Sequence, residues 1–474
     1  MTPEEFRVAG HQLVDWIAEF RTTLEQRPVM TTMGPGSIRA LLPPSPPSEP
    51  VSMQMMLDEL DRVVVPGMTH VQHPGFLGFF PSNATLSSVL GDLASSGLGG
   101  LGISWQSCPS LTEVEEVVCD WMRQLVGLSD AWKGTIHDTA STATLVALLC
   151  ARERATGFTA RAGGLQSSPT PLVIYASDQA HSSIPKAALL AGYGAHNLRI
   201  VATHGPSYAM TADALDNAMR ADITAGRTPA AVVIAVGATA TTAIDPVAEL
   251  TAVARTHGAW VHVDAALAGS AMLLPECRWM WEGVEGADSL TWNPHKWMGT
   301  VLDTSLFYVR DSDELVSVLA TDPSYLQSSV DGQVTQYRDW GVPLGRRFRS
   351  LKLWFQLGLD GVESIQTRLR RDMTNAQWLA TTVAATPNWQ VLTPVPLQTV
   401  CVRHTPAPLA HNADALDAHT QTWAEAVNRA GLTYITTSKL DGRWMVRLSV
   451  GAEGTERHHL ERAWASIREH AEHA

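Results

Sequence analysis

The stretch Trp260-Val261-His262-Val263-Asp264-Ala265-Ala266 indicates the fold class of this chain. An apolar, β-branched run that stops at a carboxylate predicts a buried strand of a parallel sheet, with Asp264 at its carboxyl end. Similar short runs occur at 172–176, 231–236 and 306–309, and helical stripes lie around them at 111–125 and 143–155. This alternation predicts an α/β domain with helices on both faces of a mostly parallel sheet and a ligand site at the strand ends.

Asp264 acquires a chemical role from a second stretch, Asn293-Pro294-His295-Lys296-Trp297. Alone, Asp264 is typical of a turn or cap, and Lys296 is typical of a surface lysine whose ammonium reaches solvent. In an apolar and aromatic setting, however, a lysine becomes a good Schiff-base nucleophile, and a buried acid needs a cationic partner. An acid for a pyridinium nitrogen and an amine for an aldehyde are what pyridoxal 5'-phosphate (PLP) requires. The two residues together predict a PLP enzyme.

Two further stretches supply the rest of a PLP site. Thr139-Ala140-Ser141-Thr142 precedes an alanine-rich helical stretch and predicts a helix N-terminus that binds a phosphate group, although such a tetrapeptide alone is typical of an ordinary N-cap. The stretch 175–183 follows a predicted strand and places His181 on a loop. A single histidine is commonly structural, but beside a cofactor it can stack on the ring and meet the substrate carboxylate.

One motif indicates a different cofactor and is set aside. Gly97-Leu98-Gly99-Gly100-Leu101-Gly102 matches GxGxxG, the dinucleotide fingerprint, which needs a strand before it and a helix after it. Here the preceding stretch 86–96 is helix-like, and Ile103-Ser104-Trp105 starts no helix. The sequence therefore disfavours an NAD oxidoreductase.

Composition and charge narrow the function classes. With 474 residues, 45% hydrophobic and 17% charged, the chain is typical of a globular enzyme of two or three domains. A net charge of −13 argues against nucleic-acid binding, and the sequence contains no apolar run of about 18 residues that would predict a membrane span. Five widely spaced cysteines without a CxxC pair fit free thiols in a reducing cytosol. We expect a cytoplasmic enzyme with no metal and no contact with membranes or nucleic acid.

Three regions are predicted along the chain. Residues 1–84 hold an amphipathic helix, capped by Thr2 and Glu5, and a proline-rich strap at 43–47. Residues 85–375 form the large cofactor-binding α/β domain, and residues 376–474 form a smaller C-terminal α+β domain. The apolar face of the first helix is expected to pack on a second subunit or, alternatively, on its own large domain.

Seven stretches together resemble the group II PLP-dependent decarboxylases, the aromatic-L-amino-acid decarboxylase family in particular. They stand in the family's order: HPGFLGFFPS (73–82), ISWQSCPSLTEVE (103–115), TASTATLVALL (139–149), YASDQAHSS (175–183), HVDAALAGSA (262–271), NPHKW (293–297) and PLGRRFRSLKLWF (343–355). The likeness runs through nearly the whole chain. It implies fold type I of the PLP enzymes, the aspartate aminotransferase-like fold, and a homodimer with its active sites at the subunit interface.

The resemblance also implies roles for single residues. Lys296 would form the Schiff base, Asp264 would pair with the pyridine nitrogen, and His181 would stack on the ring. The remaining cofactor-binding residues would be Ala140, Ser141, Thr239, Asn293 and His295.

Tyr325 distinguishes between two reactions of this family. It precedes a polar segment at 327–333, which is either a mobile lid or a solvated turn. In the family this tyrosine protonates Cα after CO2 leaves, and relatives with Phe there tend to be aldehyde synthases that release ammonia. Because the chain keeps Tyr325 and His181, decarboxylation to an arylalkylamine is the predicted reaction. The alternatives are an aldehyde synthase, a glutamate or histidine decarboxylase, and a catalytically silent PLP-fold protein.

The substrate pocket that the resemblance implies is apolar. Its residues would be Val71, Phe79, Phe80, Pro81, Ser82 and Gly345, with Leu101 and Ile103 from the other subunit. Ser82 could meet a ring hydroxyl or N–H, and the pocket offers no arginine for a glutamate side chain. Gly345 stands where indole-accepting relatives have Gly and phenol- or imidazole-selective ones often have Ser. We therefore expect a preference for tryptophan or 5-hydroxytryptophan, with possible activity on tyrosine, DOPA and phenylalanine.

Overall fold

A seven-stranded sheet contains the strand that ends at Asp264. The computed structural model describes residues 1–203, 205–321, 324–327 and 329–474, apart from the side chain of Tyr325. In these ranges the strands are β1 (Lys133–His137), β2 (Leu172–Ser177), β3 (Leu198–Val201), β4 (Thr228–Ala235), β5 (Trp260–Asp264), β6 (Ser289–Trp292), β7 (Ser305–Val309), β8 (Trp389–Val391), β9 (Thr399–His404), β10 (Thr436–Leu440) and β11 (Arg443–Ser449). The runs predicted at 172–176, 231–236, 260–263 and 306–309 are therefore confirmed as strands.

The helices alternate with these strands along the large sheet. They are α1 (Pro3–Thr22), α2 (Ser37–Leu41), α3 (Met53–Glu59), α4 (Leu86–Leu98), α5 (Pro109–Leu125), α6 (Ala140–Ala155), α7 (Ala160–Gly163), α8 (Ser183–Leu190), α9 (Ala212–Thr224), α10 (Val247–Thr256), α11 (Ser312–Leu319), α12 (Ser350–Asp360), α13 (Val362–Ala384), α14 (Ala413–Ala430) and α15 (Arg457–Glu472). Among the described residues, none of these helices has the length and apolar character that a membrane crossing requires.

The sheet order explains why residues distant in sequence meet at one edge. The large sheet runs β1-β7-β6-β5-β4-β2-β3, and a second sheet runs β10-β11-β9-β8. Strands β3, β2, β4, β5 and β6 are parallel, whereas β7 is antiparallel to both β6 and β1. Strand β1 therefore runs in the same direction as β6. The carboxyl ends of β1, β2, β4, β5 and β6 lie along one edge, so the prediction of a mostly parallel α/β sheet is confirmed.

Small side chains let α6 approach the large sheet closely. Four of its nine buried residues are alanines, and Ala143, Ala147 and Ala151 are fully buried together with Val146 and Leu148. This helix packs against β4, β5 and α8. Because an alanine face removes apolar area from water without needing space, the N-terminus of α6 is held firmly against the strand ends.

The chain divides into two compact units. The first, here called the terminal unit, comprises Met1–Pro81, Thr381–Gln390 and Val402–Ala474, and the second, the sheet unit, comprises Ser82–Ala380 and Val391–Cys401. In the terminal unit, Leu77 N–H donates to the Tyr434 carbonyl (2.8 Å) and Ser449 N–H donates to the Leu77 carbonyl (2.9 Å). Helix α1 begins with the predicted capping box of Thr2 and Glu5, and no residue of this helix is buried in the described chain.

The glycine-rich stretch after α4 confirms that the dinucleotide motif was rightly set aside. It follows a helix rather than a strand, since α4 ends at Leu98. Gly99 then takes φ +62°, the left-handed conformation that glycine adopts readily and that commonly ends a helix. The residues after Gly102 form turns until α5 begins at Pro109.

Candidate active site

Asp264 is the last residue of β5 and lies between two neighbouring strands. It is paired in register with Ala235 of β4 and with Thr291 of β6, and its side chain is about nine-tenths buried. One carboxylate oxygen accepts a hydrogen bond from Ala266 N–H at 3.0 Å. The other oxygen accepts none from the described residues. The carboxylate can therefore accept one further N–H, as a pyridinium nitrogen would offer.

His181 lies beside Asp264 and Lys296 and is neutral. Its Nδ1 accepts the N–H of Ser183 at 3.1 Å and the hydroxyl of Ser183 at 2.8 Å, which assigns the ring proton to Nε2. Burial lowers the pKa of His181; the carboxylate of Asp264 raises this pKa and the ammonium of Lys296 lowers it. His181 follows β2, Asp264 ends β5 and Lys296 follows β6, so all three lie at the carboxyl edge of the large sheet. A neutral imidazole offers a flat face for stacking and one N–H for a carboxylate.

Lys296 lies in a five-residue π-helical turn, Pro294–Met298, here called the lysine turn. Its own backbone leaves the helical region, with φ −95° and ψ −110°, while its four neighbours in the turn are buried. His295 Nδ1 accepts Thr304 N–H at 3.0 Å, and burial, followed by the charge of Lys296, lowers the pKa of His295 to about 4. His295 is thus neutral and stabilises this turn through its hydrogen bond with Thr304.

Two side chains and one backbone N–H from distant parts of the chain hold the end of the lysine turn. The carbonyl of Met298 accepts Gln356 Nε2 at 3.0 Å and Arg368 Nη2 at 2.6 Å. The carbonyl of Gly299 accepts Thr85 N–H at 2.9 Å. Gly299 has φ +103°, and a Cβ there would lie 2.9 Å from Thr85 Cγ2, so glycine is required on both counts. The clamp formed by Thr85, Gln356 and Arg368 therefore fixes the direction in which Lys296 leaves the backbone.

The N-terminus of α6 provides unpaired donors at the same sheet edge. Thr139 caps the helix, with its hydroxyl accepting Thr142 N–H at 3.5 Å. The N–H groups of Ala140 and Ser141 donate to no other described residue. Backbone donors at a helix N-terminus form a site for an anion such as phosphate. The side chains of Ala140 and Ser141 are small enough to let that anion reach the backbone.

Two further predicted cofactor residues have unused polar atoms. Asn293 is buried, and its Oδ1 has no hydrogen-bond partner among the described residues. Thr239 is half-buried in the turn after β4, and its hydroxyl bonds to no other described side chain. In that turn it is Thr241 that contacts the His181 loop, because its hydroxyl donates to Gln179 Oε1 at 3.4 Å.

The predicted substrate residues are divided between the two units. Ser82, Leu101, Ile103 and Gly345 belong to the sheet unit, whereas Val71, Phe79, Phe80 and Pro81 belong to the terminal unit. Leu101 is exposed, and a Cβ added at Gly345 would meet no atom within 4 Å. The backbone of Tyr325 lies in the short 3-10 helix Ser324–Leu326. Its side chain lies outside the described part of the chain, as do residues 322, 323 and 328, so the role of Tyr325 stays a prediction.

The sequence interpretation missed a group of residues at the end of β1. His137 Nε2 donates to the Trp340 carbonyl at 2.9 Å, and burial lowers the pKa of His137 to about 4. Beside the two preceding residues of β1, Thr135 and Ile136, Arg346 and Glu115 form an ion pair that is almost completely buried. Both contacts tie the segment at 337–346 to the strand that leads into the α6 cap. Glu115 and Arg346 both lie in stretches that carry the family resemblance, but nothing local in the sequence indicates that they pair with each other.

These residues fit PLP. PLP has a pyridine nitrogen, a flat ring, an aldehyde and a phosphate. The carboxylate of Asp264 with its free acceptor oxygen suits the nitrogen, and the neutral imidazole of His181 suits the ring face. Lys296 suits the aldehyde, and the unpaired N–H groups at the N-terminus of α6 suit the phosphate. The fold and the site together define a PLP-dependent enzyme of fold type I.

Comparison with known proteins identifies the family to which the chain belongs. The profile of the pyridoxal-dependent decarboxylase conserved domain matches residues 35–405. The chain belongs to the pyridoxal-dependent decarboxylase family and is a PLP-dependent carboxy-lyase.

Three relatives illustrate the likeness over full length. The chain is 38% identical to a phenylacetaldehyde synthase of Arabidopsis thaliana, over 99% of this chain and 96% of the relative. It is 36% identical to tryptophan decarboxylase 2 of Oryza sativa subsp. japonica, over 99% and 95%. The crystal structure of Oryza sativa TDC with PLP and tryptamine superposes with a TM-score of 0.96 at 35% identity and covers 100% of this chain and 99% of that one.

Proposed function

We propose that this enzyme decarboxylates aromatic L-amino acids to arylalkylamines and CO2. The observation that carries the proposal is the grouping of Asp264, neutral His181 and Lys296 at one sheet edge in a chain of the decarboxylase family. Relatives named as tyrosine and tryptophan decarboxylases support the aromatic substrate class.

The proposed roles follow from the contacts of each residue. PLP, when bound, supplies the electron sink that accepts the electrons left by CO2. The free oxygen of Asp264 would hold the proton on the pyridine nitrogen, and Lys296 would attach the cofactor and yield to the substrate amine. His181 would stack on the ring and direct its Nε2–H at the substrate carboxylate. The N–H groups of Ala140 and Ser141 would bind the phosphate. The remaining proposed contacts are those of Thr239, Asn293 and His295.

The reaction type can be tested at Tyr325. We propose that its hydroxyl delivers a proton to Cα, so that the amine is the product. In air-saturated buffer, Tyr325→Phe should lower amine formation and raise the oxidative branch, in which O2 is reduced to peroxide as aldehyde and ammonia are released with each CO2. If the unmodified enzyme already released ammonia and peroxide in step with CO2, it would be an aldehyde synthase, the alternative that likeness to the Arabidopsis phenylacetaldehyde synthase favours.

The preference for indoles rests on Gly345. An added Cβ meets open space there, and the residue is outside the left-handed region, so Gly345→Ser should fold normally. We expect tryptophan and 5-hydroxytryptophan to have the highest kcat/KM in a panel with tyrosine, DOPA, phenylalanine, histidine and glutamate. Gly345→Ser should lower the tryptophan-to-tyrosine ratio about tenfold. If histidine or glutamate led the panel, the proposed apolar pocket of Val71, Phe79, Phe80, Pro81, Ser82, Leu101 and Ile103 would be wrong.

We also propose a cytoplasmic homodimer in which residues 1–84 help to join the subunits. Apolar side chains that a single chain leaves exposed support this, among them Phe6 (57%), Leu98 (71%) and Leu101 (54%). All five cysteines are free thiols, as a reducing compartment favours. Sedimentation should give a dimer, and Phe6→Asp with Leu98→Asp should give a monomer. The equally exposed Leu190→Asp serves as the control, and dissociation of that variant instead would contradict the proposed interface.

A further inference from the structure

A cavity of about 390 Å³ in the sheet unit is formed mainly by residues outside the proposed active site. One wall is the turn after β4 together with the first residues of α10. The opposite wall is the segment that contains Trp279 and Glu282, and Pro394 and Pro396 complete the lining. A preformed concave site of this volume is in the size range of small-molecule pockets.

The cavity is lined by three acidic side chains. Asp245, Glu249 and Glu282 line it, and none of the described lining residues is a lysine or an arginine. Both oxygens of Asp245 accept backbone N–H groups, from Met210 at 2.7 Å and from Ala235 at 2.9 Å, but among the described residues none of the three carboxylates has a cationic partner. Burial raises the pKa of Asp245 to about 7. A nearby cation would therefore stabilise the charged form of this group.

The rest of the lining is apolar and aromatic. The indole of Trp279 is 60% exposed, and it lines the cavity with Met280 and the two prolines. An exposed aromatic face attracts a cation through the ring quadrupole and also packs against another ring. Acids and an indole, with no basic residue among the described part of the lining, favour an organic cation over an anion or a neutral molecule.

We propose that this cavity binds an arylalkylammonium ion, with its ring against Trp279 and its ammonium among the three carboxylates. Primary amines of this class are protonated at neutral pH, since alkylammonium groups titrate at about 10. The choice of ligand rests on the proposed function, because arylalkylamines are the class of product that the reaction would release.

The floor of the cavity belongs to the turn that carries Thr239. Thr242 lines the cavity and has φ +56°, a conformation that β-branched residues rarely adopt. Its neighbour Thr241 lines the cavity as well and donates to Gln179 on the loop of His181. A bound amine would contact this turn. The concentration of the product would therefore affect the positions of Thr239 and the His181 loop, which lie next to the proposed cofactor site.

Equilibrium dialysis of the holoenzyme with labelled tryptamine tests the proposal. We expect a class of binding sites whose affinity falls at least tenfold in Trp279→Ala and in Glu282→Gln, with the rate of CO2 release unchanged. The matched control is Trp121→Ala, which removes another exposed tryptophan, 41% accessible on α5. Tryptophol, the neutral analogue, should compete at least tenfold less well than tryptamine.

The result that overturns the proposal is a tryptamine isotherm that neither Trp279→Ala nor Glu282→Gln changes. Equal competition by tryptophol would likewise remove the charge argument. Both side chains are exposed, so the variants should fold, and circular dichroism checks this. Dialysis does not depend on turnover: if the enzyme released no CO2 from aromatic amino acids while the tryptamine class remained, the proposed function would fail and the cavity would stand.

Discussion

Arg346→Met should destabilise the sheet unit strongly, because it leaves the carboxylate of Glu115 buried without its cation. Arg346 Nη2 donates to Glu115 Oε1 at 2.5 Å, and the two side chains are 7% and 0% exposed. Removing one partner of a buried ion pair costs about 3–5 kcal/mol, far more than the pair contributes relative to apolar residues.

The contacts that remain place the expected loss near the lower end of that range. Glu115 Oε1 keeps the hydroxyl of Thr135 at 2.9 Å and the N–H of Ile136 at 2.8 Å. These hydrogen bonds to a charged acceptor offset part of the desolvation, whereas Oε2 has no partner among the described residues. We therefore expect a loss of about 3 kcal/mol in the free energy of unfolding.

Equilibrium unfolding of the holoenzyme in guanidinium chloride measures this loss. The double variant Glu115→Gln with Arg346→Met should recover most of the stability, since the neutral amide leaves no buried charge and its oxygen can still accept from Thr135 and Ile136. Arg370→Met is the control, because its partner Glu276 is on the surface, with side chains 47% and 53% exposed. The reasoning is refuted if Arg346→Met unfolds at the same midpoint as Arg370→Met, or if the double variant is less stable than the single one.

Three further outcomes are expected. Lys296→Ala should abolish the visible absorbance of bound PLP while Lys186→Ala, a surface change, keeps it; retained absorbance in the first would contradict the assignment. Thr139→Ala should weaken PLP binding in dialysis and cost about 0.5–1 kcal/mol of stability, whereas the cap variant Ser52→Ala should cost similar stability with PLP affinity intact. Stability should fall as the pH is lowered from about 6.5 to about 4, because the unfolded chain then binds protons on buried histidines that the folded chain keeps neutral. Burial lowers the pKa of these histidines to about 4, and they are His137, His262, His295 and His404. The raised pKa of Asp245 stabilises the fold as the pH falls and therefore offsets the loss from about one of these four histidines. A guanidinium midpoint that stays constant over this pH range would contradict the prediction.

The local sequence pattern was sufficient to predict a strand or helix wherever that element depends only on its own residues. The strand ending at Asp264 and the cap at Thr139 both follow from apolar runs and a hydroxyl at the expected place, and the structure has them at those positions. Strand β1 was missed because Lys133–His137 is short, contains a glycine and has only one large aliphatic residue. Its strand character depends on pairing with β7, which lies far along the chain.

The interactions that support the predicted residues could not be predicted from the sequence. The tautomer of His181 depends on how the Ser183 backbone is oriented, and the buried pair of Arg346 and Glu115 joins positions more than 200 residues apart. Hydropathy patterns report which residues are buried but not which buried polar atoms meet. The cofactor-contacting residues stay a prediction, and supporting residues such as Gln356 and Arg368, which hold the lysine turn, carry no local pattern that would identify them.

The clamp on the lysine turn has a consequence for the timing of maturation. Gln356 and Arg368, which hold the Met298 carbonyl, are synthesised well after Lys296. A nascent chain that ends before them has the reactive amine but lacks the side chains that aim it. We therefore expect a ribosome-bound chain arrested before Gln356 to acquire no stable PLP colour, in contrast to the released protein. Stable uptake of the cofactor would then wait until α12 and α13 have formed.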